Sequence, residues 1–173
     1  MVIVHLEVHG YTAIECGPDA DPEEFLSVLN SDPTFVEAST LNTGKTQFDL
    51  DDASMFLWQS DVMENSHLFA VHELSDRLVA ALTLLVPHPK AQQPWIGALI
   101  VHHDVAFGEV ALPVLNALES RLAADGWQAV YVSPMASQRD LIELWNSYGY
   151  TFVEVRLDNN ERNVHVLSKP LQS

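Results

Sequence analysis

The chain has 173 residues, 47% of them hydrophobic, with 8 Lys and Arg against 24 Asp and Glu, giving a net charge of −16 with histidines neutral. The length suits one domain over residues 1–173 with room for a real core, and there is no apolar run of the roughly eighteen residues that a membrane span needs. The carboxylate excess excludes the Lys/Arg footprint by which proteins hold nucleic acid or anionic membrane, and it favours a cationic partner such as a small amine or a basic protein tail.

Met1 to Glu7 lacks the basic start and long apolar core of a signal peptide. The single cysteine, Cys16, rules out an internal disulfide, so a cytoplasmic location is expected. Residues 2–16 alternate apolar and polar side chains around Gly10, as a strand pair or one long strand. Asp21 or Asp19 can cap a helix that starts Pro22-Glu23-Glu24 and buries Phe25, Leu26, Val28 and Leu29, with Asn30 to Pro33 stopping it. Thr34 to Lys45 shows no period, and Asn42 to Lys45 reads as loop. Asp49, Asp51 or Asp52 precedes a second helix over Ala53 to Met63. Residues 67–86 read as a hairpin whose second arm, Leu78 to Val86, is apolar enough for a central strand buried on both faces. Pro87 to Pro94 is a loop in which His88 reads as a surface residue.

The segment from Pro94 to Gly126 organises the rest. A buried strand, Trp95 to Val101, is followed by a polar elbow, His102-His103-Asp104. Next comes a helix with Val110, Val114, Leu115, Leu118 and Leu122 on one face, and Gly126 stands where its C-cap requires φ > 0. Strand, elbow, helix aims free N–H groups at an anionic ligand, although an ordinary βα unit has the same spacing. A strand over Trp127 to Ser133, a helix begun at Ser137 or Asp140 and ended by Tyr148-Gly149-Tyr150, and strands over Thr151 to Leu157 and Asn163 to Leu167 complete the chain.

This order is similar to that of the GNAT acetyltransferases. Phe69 to Leu82 resembles the family's hairpin, Ile96 to Val101 its fourth strand, and Leu144-Trp145-Asn146-Ser147-Tyr148-Gly149-Tyr150 the ending of its last helix. The resemblance implies an α/β (α+β) fold with a mixed, mostly antiparallel sheet flanked by helices. It also implies that strands 95–101 and 128–133 are neighbours that diverge to admit the pantetheine arm of acetyl-CoA.

The family's pyrophosphate loop, Gln/Arg-x-x-Gly-x-Gly/Ala, falls on Ala106-Phe107-Gly108-Glu109-Val110-Ala111, where only Ala111 matches. With Leu99, Ile100, Val101 and Gln138, these residues are the cofactor contacts that the resemblance implies. Glu109 would bring a carboxylate towards the diphosphate, which costs most at low dielectric. Trp95 stands where the family often has a basic Glu, and Trp145 where it has an acidic Tyr; an indole N–H cannot give up its proton at neutral pH. Tyr148 is the nearest substitute acid. Ser133 could hold a water or the leaving thiolate, and His102 or His103 could take a proton from an amine. His102 and His103, as adjacent strand residues, are expected on opposite faces, so no metal site is expected.

Two functions follow from the resemblance. One is acyl-CoA-dependent N-acyltransfer to a small amine or a protein amine, without metal, nucleic acid or membrane, by a chain that could form a homodimer. The other is a GNAT-fold binding module that has lost efficient use of acetyl-CoA. A DNA-mimicking role rests on the charge alone.

Overall fold

The computed structural model describes residues 5–40 and 43–172. Val2 to Val4 of the expected first strand and Asn42 of the expected loop lie outside them. Gly10, at φ +83°, turns β1 (His5–Val8) into β2 (Tyr11–Cys16) as a hairpin. Asp21 caps α1 (Pro22–Leu29) by accepting the Glu23 N–H, and Asn30 ends it. After Pro33, where the sequence shows no period, the chain is helical, and the expected loop holds over Thr43 to Lys45. Asp32 accepts the Thr34 and Phe35 amides and opens a further helix, α2 (Pro33–Ser39), with Pro33 at its start. Asp49 and Asp52 form a reciprocal capping box on α3 (Leu50–Val62).

There follow β3 (Ser66–Glu73), β4 (Leu78–Leu85), β5 (Trp95–Val101), α4 (Phe107–Ala124), β6 (Ala129–Val132), α5 (Arg139–Ser147), β7 (Thr151–Leu157) and β8 (Asn163–Pro170). The strands form one sheet in the order β1-β2-β3-β4-β5-β6-β8-β7, antiparallel throughout except for β5 with β6. On one face, Val110, Val114, Leu115, Leu118 and Leu122 of α4 join Val79, Leu82, Leu99, Trp145 and Tyr150 in the larger core. On the other, Phe25, Val28 and Leu29 of α1 and Ala53 and Leu57 of α3 pack on Leu68, Ala70, Leu78, Ala81 and Ile100. β4 therefore feeds both cores, which is why its sequence is apolar without alternation. Each Leu or Val so enclosed contributes about 1.5–3 kcal/mol.

Candidate active site

β5 and β6 pair only at Trp95–Tyr131 and Ile96–Val132. The next residue, Gly97, is an extra one in the β4–β5 ladder, where Ile96 faces Leu84 and Ala98 faces Thr83. A Cβ on Gly97 would sit 2.6 Å from Thr83 Oγ1, so the close approach that forms this bulge needs glycine. Beyond it the two strands no longer pair, and a cleft of about 540 Å³ opens over Gly97 to Ile100, Val132, Ser133, Gln138 and Trp145.

The ladder also settles where the amides of β5 point. The N–H of His102 donates to Val79 O, one step beyond the Val101–Ala80 pair. Bonded and non-bonded positions alternate along an antiparallel pair, so Ala98 and Ile100 turn their N–H groups to β4 and Leu99 and Val101 turn theirs to the open side. At the cleft wall, the Trp95 indole N–H donates to Ser133 Oγ at 3.2 Å. Trp95 is fixed in turn by stacking on Tyr131, with centroids 5.1 Å apart. With one lone pair of its oxygen taken, the Ser133 hydroxyl keeps its own proton for another acceptor. Gln138, just ahead of α5, accepts the Met135 N–H on Oε1 at 3.0 Å and keeps its amide donors.

The elbow differs from the sequence expectation. α4 begins at Phe107 with Ala106 as N-cap and no side-chain capping bond. The amides of Phe107 and Gly108 therefore belong to the free first turn, whereas those of Val110 and Ala111 come after it and both side chains are buried in the core. Val110 and Ala111 are thereby removed from the set that could touch a diphosphate. Glu109 lines a different, larger groove of about 1180 Å³ between α4 and the β1–β2 hairpin, together with His5, Glu7 and His9.

Tyr148 does not line the cleft. Its hydroxyl lies 3.4 Å from where a Gly108 Cβ would stand, over the start of α4. Burial raises the phenol above its ordinary value, which suits a hydrogen-bond donor better than an acid.

His102 lies past the last residue of β5, so the strand alternation that would oppose it to His103 does not apply, and the rings stack at 4.5 Å. Its Nδ1 accepts the Asp104 N–H at 3.1 Å, which puts the proton on Nε2, 2.9 Å from Ser27 Oγ. Both nitrogens are thus used within the protein, and burial lowers the pKa below the usual histidine value. With Asp104, the two rings bring three ligand-type groups within 4.8 Å. His88 is half-buried rather than on the free surface: it packs 5.0 Å from Trp95 and its Nδ1 accepts the Lys90 and Ala91 amides.

The far end of the cleft is built by residues that the sequence reading did not single out: Asp32, Thr34 and Phe35 of the α2 start, and Asp158, Asn160 and Arg162 of the β7–β8 turn. Arg162 Nη1 reaches Ala38 O at 3.4 Å and so ties the turn to α2, while Nε holds Asp158 Oδ2 at 3.0 Å. Burial pushes the Asp158 carboxyl up, but the Arg162 and Asn160 amides and the guanidinium outweigh it and leave it below the usual carboxylate value. The Asp-Pro pair at 32–33, a repeat of the one at 21–22, is the signal that could have revealed α2.

A mixed sheet opened between one parallel pair, with a helix N-terminus at the elbow beyond, is the GNAT fold, and the chain has that fold. It is similar to an acetyltransferase from Thermus thermophilus, with TM-score 0.71 and 17% identity over 96% of this chain and 99% of that one. It is also similar to a probable GNAT-family acetyltransferase from Chromobacterium violaceum, with TM-score 0.80 and 12% identity over 98% of this chain and 87% of that one. A third is the spermidine N-acetyltransferase of Vibrio cholerae, solved with CoA and spermine, with TM-score 0.65 and 11% identity over 94% of this chain and 96% of that one. No protein-family model and no curated protein matches the sequence.

Proposed function

We propose that the chain is an acyl-CoA-dependent N-acyltransferase acting on an amine. The observation that carries this reading is the cleft at which β5 and β6 part, with the amide of Leu99 facing it, that of Val101 on the same open side of β5, and the Ser133 hydroxyl on its wall. An extended acyl-pantetheine fits such a place: apolar Ile96, Leu99, Ile100, Val132 and Trp145 flank it, and strand amides can bond its own amides.

The Leu99 N–H donates to the acyl carbonyl oxygen as negative charge gathers there, in a site drier than water, and the Val101 N–H, about 6.6 Å further along the strand, is left for an amide of the pantetheine arm. As the amine nitrogen bonds the acyl carbon and the C–S bond breaks, the Ser133 hydroxyl donates a hydrogen bond to the departing thiolate, and the proton that the nitrogen sheds passes through water to the sulfur, leaving an amide and a free thiol. The free amides of Phe107 and Gly108, with the Tyr148 hydroxyl, supply donors for the diphosphate. Among the described residues that line the cleft there is no histidine to act as base, and in this reading the amine enters neutral and positioning carries much of the rate. Asp32 and Asp158 at the far end favour an acceptor that carries positive charge elsewhere in the molecule. The chain acts as one unit over residues 1–173.

Thermal shift and calorimetry with acetyl-CoA test the first step, because a ligand at a hundred times its dissociation constant adds about 2.7 kcal/mol to stability. Thiol release with a panel of mono- and polyamines tests the second. Absence of acetyl-CoA binding overturns the reading, and binding without transfer to any amine leaves a binding module.

A further inference from the structure

β7 ends the sheet, and every one of its residues is exposed, including Phe152, Val155 and Leu157 at 53–60%. A free edge with apolar side chains is a template for another strand. The ladder shows which backbone groups it offers. Asp158 N–H donates to Arg162 O, in register with the Val155–His165 and Arg156–Val164 pairs. By alternation Arg156 and Glu154 bond to β8, while Val155 and Leu157 turn their N–H and C=O outwards. His165 confirms this by donating its N–H to Pro134 O instead of to β7.

We propose that two copies of this chain pair antiparallel through β7, about a two-fold axis at Val155, into one continuous sheet. In an antiparallel two-fold pair, facing residues share a sheet face, so the axis must pass at a residue position. An axis at Glu154 or at Arg156 sets like charges against each other. An axis at Val155 lets Val155 exchange two backbone bonds with its own copy and sets each Glu154 against the other copy's Arg156. Cross-strand pairs of opposite charge and of apolar residues stabilise such a ladder.

The register is self-complementary on a chain of net charge −16, and the segment Thr151–Leu157 carries one Glu and one Arg, so this edge adds no repulsion of its own. The interchain pair replaces the exposed contact that Glu154 and Arg156 now make within the strand, which is worth little, and it competes with the place of the Arg156 guanidinium 5.9 Å from the Trp95 ring centroid.

Sedimentation velocity and light scattering on the full chain test the pairing. The parent is expected to be a dimer. Glu154→Arg and Arg156→Glu each set like charges opposite at both ends of the ladder and are expected to weaken association at least about tenfold. An equimolar mixture of these two variants, and the double variant Glu154→Arg/Arg156→Glu, restore the opposition and are expected to dimerise again. Val155→Pro removes an outward donor that β8 does not use and is expected to give a folded monomer that melts lower than the dimer by no more than the lost association. A monomeric parent up to its solubility limit overturns the proposal. So does a dimer that both single charge reversals leave intact, and so does a mixture of the two that stays monomeric.

Discussion

The indole of Trp95 donates to the hydroxyl of Ser133 across 38 residues of chain, from the start of β5 to the residue after β6, where those two strands part. The bond occupies an acceptor site of the serine oxygen and leaves its proton free on the cleft wall. Ser133→Ala is therefore expected to lower kcat about 10²-fold, with the acetyl-CoA dissociation constant and melting temperature nearly unchanged. Trp95→Phe keeps the stack on Tyr131 but loses the N–H, and a smaller fall is expected. Steady-state kinetics with the amine at saturation check both.

Tyr148 gives a test of the elbow. If its hydroxyl donates to the cofactor's diphosphate, Tyr148→Phe raises KM for acetyl-CoA about tenfold, leaves kcat alone and keeps most of the packing against Trp145. A fall in kcat at constant KM would instead make the phenol the acid towards the leaving thiolate. The comparison of acetyl-CoA with dephosphorylated pantetheine thioesters sharpens it, because the variant should lose its effect on a substrate without the diphosphate.

The bulge at Gly97 predicts a coupled pair. Gly97→Ala places a methyl 2.6 Å from Thr83 Oγ1 and is expected to cost about 1–3 kcal/mol. Thr83→Ala removes that oxygen, so the double variant should be less destabilised than the sum of the single changes. Urea unfolding of the four proteins measures the coupling, and strict additivity would show that the strand shifts to admit the methyl at no expense to Thr83.

His102 predicts an acid-side loss of stability. Its pKa is lowered below 6.5 in the folded protein, first by burial and then by His103 and Arg77 against the opposing pull of Asp104. The unfolded chain then binds more protons in the window below 6.5, so the contribution is complete above that pH and is lost as pH falls through the lowered value. His88, lowered by burial, Arg156 and Lys90, acts in the same direction. His102→Gln should flatten the pH dependence of unfolding between about pH 5 and 7, as read from urea midpoints. An unchanged slope would assign the loss to His88 or to another group.

Much of the framework was legible along the chain because its causes are local. Asp21 before Pro22 accepts the Glu23 amide at the start of α1, Gly126 and Gly149 adopt positive φ after α4 and α5, and the unbroken apolar run of β4 announces a strand covered on both faces. The same local chemistry marked α2 at Asp32-Pro33, but a proline after one helix reads equally as its stop, and only the packed chain shows it opening the next. The parting of β5 from β6 followed from the resemblance of the strand order. Its bulge did not, because the glycine that permits it answers to Thr83 on a neighbouring strand. The destinations of side chains were decided by tertiary structure alone. Tyr148 was one helical step from Trp145 in sequence, yet its hydroxyl stands over the start of α4; Glu109 faced the ligand on paper and lines another groove; His102 and His103 stack because the strand has already ended. Sequence period sets which face a residue takes on its own element, but the direction in which two elements meet depends on how their whole surfaces pack.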